Sequence, residues 1–151
     1  MADVAGCNFQ GCDFAKAYLA KVNFSRGHLS GADFTEAVIE RGRFVEANLV
    51  ESIFCRANLT DCQMSGANFL GADLSGSNLS RAKLGNALLG FSGKKFTNLD
   101  GATLKGTDFG GVDLTFVSGL SATQLEFAKM DEKTILPHAV AAEFRTLKES
   151  S

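Results

Sequence analysis

Large apolar residues recur at every fifth position of this chain. Stepping by five from Phe9 gives Phe14, Leu19, Phe24, Leu29, Phe34, Ile39, Phe44, Leu49, Phe54, Leu59, Met64, Phe69, Leu74, Leu79, Leu84 and Leu89. After one break at Lys94 the same phase returns with Leu99, Leu104, Phe109 and Leu114, so 21 of the 22 slots are apolar. Two positions before each slot the residue is small, as at Cys7, Cys12, Ala17, Ala32, Ala57, Cys62 and Ala72; one position before, Asn or Asp is favoured, as at Asn8, Asp13, Asn58 and Asp73. A period of five fits neither a helix at 3.6 nor a flat strand at 2. A chain that turns a corner once per pentad satisfies it: the central residue and the small residue point inward, and the remaining three positions face water.

Runs such as Ala67-Asn68-Phe69-Leu70-Gly71 and Ala72-Asp73-Leu74-Ser75-Gly76 resemble the pentapeptide-repeat family, whose motif is written A(D/N)LXX, and the resemblance covers residues 7 to 116. It implies an all-β fold, a right-handed quadrilateral parallel β-helix with four pentads per coil, in which residues 20 apart stack. The expected organisation is a lead-in over 1–6, a β-helix over 7–118 that is irregular at 91–96, and a helical C-terminal cap and tail over 119–151. Phe9, Phe14, Phe34, Phe54, Leu59, Phe69 and Leu79 are expected in the core. On a strict 20-residue stack, Lys94 follows Leu74 and precedes Leu114 in one column. A buried, unpaired ammonium costs several kcal/mol, so the chain is expected to bulge at 91–96. Corner charges alternate in sign along the columns, as in Lys16-Glu36-Arg56, Arg26-Glu46 and Arg41-Asp61-Arg81, each exposed pair contributing about 0–1 kcal/mol.

The C-terminal part is written differently. Ser121 with Gln124 three residues on forms a capping box, which predicts a helix over 122–129 with Leu120 stapled onto Leu125. The stretch from Gly119 to Pro137 resembles the terminal segment of many bacterial pentapeptide-repeat proteins. Beyond Pro137, Val140, Phe144 and Leu147 fall at amphipathic helical spacing. Leu120, Leu125, Phe127, Phe144 and Leu147 are therefore expected to cover the end of the rod or join two rods into a homodimer.

Charge and chemistry narrow the function. With 15 basic and 17 acidic residues in 151, no basic field exists to hold nucleic acid directly. No apolar run approaches a membrane span and Met1–Gly6 lacks the features of a secretory signal, so the expected compartment is the cytoplasm. The four cysteines project from different walls with no histidine beside them, and His28 lies among asparagines with no nucleophile in reach. No catalytic residue, metal or cofactor is expected. Two binding surfaces stand out. Outward apolar residues Tyr18, Val38, Val50, Leu70 and Leu88 form a candidate protein-interaction surface, partner unknown. Asp13, Asp33, Asp73 and Asp113 line a candidate acidic wall, interrupted by Ile53. The family resemblance implies an alternative use for such a wall, as a DNA mimic that binds DNA gyrase and protects it from quinolones.

Overall fold

Each regular pentad closes in a β-turn of one geometry, the corner at Thr115-Phe116 differing in that neither residue takes a positive φ. The amide of the small residue donates to the carbonyl of the preceding central residue, as in Ala17 N to Phe14 O at 3.0 Å and Ala57 N to Phe54 O at 3.0 Å. The third turn residue takes a positive φ, as a type II turn requires. Glycine fills it at Gly11, Gly31 and Gly71, but eleven corners carry a non-glycine residue there, among them Lys16, Glu36, Arg56, Arg81 and Asn86. Each costs on the order of 1 kcal/mol relative to glycine. In return the side chain projects from the corner, where it meets the equivalent residue of the next coil.

The computed structural model describes residues 2–91 and 96–150. Between corners the chain runs straight for one bridged residue at a time, and parallel bridges join positions 20 apart. Four walls result. Wall A holds Asp3, Asn23, Arg43, Gln63, Lys83, Asp108 and Lys129; wall B holds Asn8, His28, Asn48, Asn68 and Leu88; wall C holds Asp13, Asp33, Ile53, Asp73, Asn98 and Ser118; wall D holds Tyr18, Val38, Asn58, Asn78 and Thr103. On each rung the bridged residue's amide points one way and the central residue's the other. Leu29 N donates to Asn48 O at 2.8 Å, and Asn48 N to Gly27 O at 3.0 Å.

The Asn/Asp preference has a local cause. The side-chain oxygen accepts the amide two residues on, at the entrance to the turn: Ala15 N to Asp13 Oδ1 at 2.8 Å, Leu70 N to Asn68 Oδ1 at 3.1 Å, Thr115 N to Asp113 Oδ1 at 2.8 Å. These short polar side chains supply the acceptor for that amide.

The interior is built as expected in the middle coils. Phe34, Phe54, Leu59, Phe69 and Leu79 are fully buried. Phe14, Phe34 and Phe54 stack with centroids 5.0 and 4.7 Å apart, close to the strand spacing. Phe9 and Phe14 differ: they pack against the core but are only half-buried, because no coil lies beneath theirs among the described residues. Where a small residue carries a hydroxyl or thiol, it bonds a central carbonyl. Ser52 Oγ donates to Leu49 O at 2.7 Å and Cys62 Sγ to Ile39 O at 3.0 Å.

Within the pentad-repeat region the stacking interval departs from 20 at one place. Asn68 bridges Leu88, 20 residues on, but Asp73 bridges Asn98, Asn78 bridges Thr103 and Lys83 bridges Asp108, each 25 residues on. One pentad's length of chain therefore leaves the coil between Leu89 and Thr97, which are joined by a bond from Thr97 N to Leu89 O at 3.0 Å. Lys94 and most of the expected irregularity at 91–96 lie outside the described residues, and the strict 20-residue columns fail beyond them. Leu74 stacks under Leu99, and Leu84 under Phe109.

The expected helix over 122–129 is absent; residues 122–127 are successive turns. The capping box does form, with Ser121 N to Gln124 Oε1 at 2.8 Å and Gln124 N to Ser121 Oγ at 3.4 Å. The chain then continues the coil, because Lys129 bridges Asp108 and Ile135 bridges Asp113. Backbone pairing on the lower rungs outcompetes the local helix signal. Where this last turn lacks a regular rung, side chains replace it: Gln124 Nε2 donates to Leu99 O and Ala102 O at 2.9 and 3.0 Å, and Thr134 Oγ1 to Phe109 O at 2.9 Å. Pro137 precedes α1 (His138–Glu149). Its Val140 is buried and Phe144 packs on the core, and Lys148 Nζ reaches Glu126 O at 3.2 Å, which sets α1 across the 121–126 turns.

Candidate functional site

The corner charges pair along the rod as the sequence indicates, except that among the described residues Arg41 makes no ion pair with Asp61. Glu36 lies between Arg56 Nη2 at 2.6 Å and Lys16 Nζ at 3.9 Å; Arg26 Nε meets Glu46 at 2.9 Å; Arg81 grips Asp61 with two bonds of 2.7 and 2.8 Å. The bond from Arg56 holds the Glu36 carboxyl below its ordinary range, and that from Arg81 does the same for Asp61. All four pairs are exposed, so their main effect is on register.

The candidate acidic wall is shorter than expected. Wall C contains Asp13, Asp33 and Asp73, but Asp113 is not on it. The excursion before Thr97 sets the later pentads back by one wall, so Asp113 follows Asp108 of wall A onto the face of Leu88 and pairs with Ile135. Above Asp73, wall C continues with Asn98 and Ser118. Burial pushes the Asp73 carboxyl up, but bonds from the Ser75 amide, Cys55 Sγ at 3.1 Å, the Ser75 hydroxyl and Asn98 Nδ2 at 3.1 Å outweigh it and hold the group below its ordinary range. Its oxygens serve the fold first.

The candidate apolar surface is larger than the sequence suggests. Tyr18 is 79% exposed beside the half-buried Val38 on wall D. Val50 and Leu70, both half-buried, occupy equivalent positions on the corner between walls B and C, and Leu88 is exposed on wall B just before it. The chain leaves the coil at this same corner, and it presents Phe91 and Phe96 to solvent there. Phe96 stacks on Phe116 with centroids 6.4 Å apart. Phe116 sits over Gly90, where an added Cβ would meet its carbonyl oxygen at 2.6 Å; only glycine admits that approach. The three Phe residues lie outside the pentad slots, and that displacement was their sequence signal.

The C-terminal residues divide. Leu125 is fully buried, Leu120 and Phe144 are half-buried against the core, while Phe127 and Leu147 are exposed. Phe127 thus covers nothing. His28 is exposed between Asn8 and Asn48. Among the described residues no group of three or more His, Cys, Asp or Glu is placed to hold a metal ion, and no helix is long and apolar enough to cross a membrane.

The cysteines are free and differ sharply in environment. Cys7 is exposed, Cys12 and Cys55 are half-buried, and Cys62 is buried. Burial pushes the Cys62 thiol up to about 12 and raises that of Cys55, where the bond to Asp73 adds to it. Alkylation of the native protein at pH 8, followed by mass spectrometry, is expected to modify Cys7 first and leave Cys62 intact until the chain is unfolded. Modification of Cys62 at the rate of Cys7 would contradict the inward placement of the small position.

A family model for pentapeptide repeats, in eight copies, matches residues 2–36, 43–81 and 52–90. No curated protein sequence matches the chain. Among solved structures, it is similar to a pentapeptide repeat protein from the Arabidopsis thaliana thylakoid lumen, at 29% identity over 71% of this chain and 68% of that one with a TM-score of 0.34. It is also similar to Rfr23 from the cyanobacterium Cyanothece 51142, at 23% identity over 89% and 90% with a TM-score of 0.39. A third is QnrB1, a plasmid-mediated fluoroquinolone resistance protein, at 18% identity over 97% and 96% with a TM-score of 0.36. With the family model spanning more than half of its length, and a coil that turns once per pentad, the chain belongs to the pentapeptide-repeat family, whose members form right-handed β-helices.

Proposed function

We propose that this protein is a non-enzymatic interaction module that docks a protein partner on the corner between walls B and C. The observation that carries this reading is the apolar ridge formed there by Val50, Leu70, Leu88, Phe91 and Phe96, with Leu88, Phe91 and Phe96 exposed. Isolated apolar residues on a surface mean little, but a contiguous set on a rigid face is the mark of a binding surface. Exposed aromatics supply large contact areas at low entropic cost. Self-association through α1, whose exposed Leu147 lies beside clefts of about 350 and 280 Å³, is a second element of the proposal.

The acidic wall favours this reading over imitation of a DNA duplex. A duplex carries one charge per about 1.7 Å, whereas wall C offers Asp13, Asp33 and Asp73 with Ile53, Asn98 and Ser118 at the remaining rungs. Replacing Val50, Leu70, Leu88 and Phe96 by Ser is expected to leave the circular dichroism spectrum unchanged and to remove the partners captured by the wild-type rod. Capture should survive high salt, because apolar contact is not screened. An unchanged set of partners would sink the apolar ridge, and inhibition of DNA gyrase supercoiling that persists in the variant would favour the acidic wall.

A further inference from the structure

We propose that a second site, a groove where wall A meets the corner after wall D, binds an acidic peptide segment, with carboxylates at Lys105 and Lys129 and an apolar side chain on Phe127. The groove has a volume of about 390 Å³ and is lined by Ser80, Arg81, Lys105, Gly106, Phe127 and Lys129. Arg81 and Gly106 are corner residues of successive coils, close enough that a Cβ on Gly106 would touch Arg81 Cγ at 3.3 Å. The turns that replace the expected helix bring the other two residues here. Gly106 N bonds Phe127 O at 2.8 Å, and Lys129 is set on wall A by its bridge to Asp108.

The charges in the groove are unequally satisfied. Arg81 is neutralised by its two-point bond to Asp61. Among the described residues Lys105 and Lys129 have no carboxylate within ion-pair distance, and the Lys105 ammonium instead lies 5.8 Å over the Phe127 ring. Asp108, one rung below Lys129, uses Oδ1 to accept Gly110 N at 3.0 Å. With two cations lining one groove, an incoming carboxylate gains attraction from both. Phe127 is 61% exposed and offers an apolar floor next to them.

The shape of the site selects among anions. A groove this size is within the range that holds several side chains or a small molecule, too large to be set by one inorganic ion. A nucleic acid would need an unbroken run of cations along the wall, but Arg43, Lys83 and Lys129 alternate with Asn23, Gln63 and Asp108. A short segment with two carboxylates beside one aromatic or aliphatic residue matches what is present: two free ammonium groups and one exposed ring.

The test uses the full chain and a fluorescein-labelled synthetic peptide with a Glu-Phe-Glu-Glu core, read by anisotropy at low salt and at about 0.5 M salt. Saturable binding to the wild type that weakens at high salt is expected. The double reversal Lys105→Glu/Lys129→Glu should weaken it by about tenfold or more, the milder Lys105→Gln/Lys129→Gln by less, and Phe127→Ala by about threefold to tenfold. Arg43→Glu, a cation of wall A outside the groove, should change affinity by no more than about twofold. Circular dichroism checks the fold of each variant. The proposal fails if the wild type shows no saturable binding, if Arg43→Glu weakens binding as much as the double reversal, or if a DNA duplex competes better than unlabelled peptide.

Discussion

Leu59→Asp is expected to prevent folding, while Asn58→Ala, one residue away, costs about 1 kcal/mol. Leu59 is fully buried in a column between Ile39 and Leu79, so an aspartate there would place a carboxylate among apolar side chains with no partner. An uncompensated buried charge costs about 3–5 kcal/mol or more, in addition to the roughly 2–5 kcal/mol lost with the leucine. A domain of ordinary stability, about 5–15 kcal/mol, does not absorb both. Because each coil is supported mainly by its neighbours, the damage should spread along the rod. Asn58 loses far less. Its Oδ1 accepts Thr60 N at 3.2 Å and Thr60 Oγ1 at 2.7 Å, both half-buried, and its Nδ2 donates to Glu40 at 2.8 Å in an exposed bond that water can replace. Circular dichroism and thermal melting of the two variants distinguish the positions; similar melting curves would overturn the inward phase.

That phase was legible because a period of five recurs over some twenty pentads, and each pentad restates the same demand on its central residue. The wall assignment was not. The excursion between Leu89 and Thr97 removes a whole pentad, so the apolar slots on either side remain in register modulo five. Stacking, however, runs modulo twenty, and the detour sets everything after it back by one wall. That single shift moves Asp113 off the acidic wall and sets Leu99, rather than Lys94, above Leu74. A break whose length is not a multiple of five would have changed the phase and shown itself in the pattern.

The C-terminal segment misled for a related reason. Ser121 and Gln124 do make their reciprocal bonds, but a capping box specifies only one turn. Whether a helix follows depends on what the next residues can pair with. Here the carbonyls and amides of the rung below were available, and Lys129 and Ile135 joined the walls instead. The surface sites depended on both events. The ridge gains Phe91 and Phe96 from the excursion, and the basic groove gains Phe127 and Lys129 from a coil that no longer carries the pentad signature.

Removing residues 119–151 is expected to cause aggregation, and removing only 137–151 should have a smaller effect. The larger deletion takes away Gln124 Nε2, which satisfies Leu99 O and Ala102 O, together with the rungs at Lys129 and Ile135 that pair with walls A and B. It also uncovers Leu99, Leu104, Phe109 and Leu114, now fully or nearly fully buried. An open apolar coil end with unpaired backbone groups is a template for stacking another chain. Deleting 137–151 keeps those rungs and Leu125 in place, and strips away only α1 with its contacts through Val140 and Phe144. Light scattering at several concentrations and thermal melting of both deletions separate the contributions. Aggregation of the long deletion with retained solubility of the short one assigns capping to the irregular coil. If the short deletion aggregates equally, α1 is the essential cover, and if both remain soluble and as stable as the full chain, residues 119–151 do not protect the end of the rod.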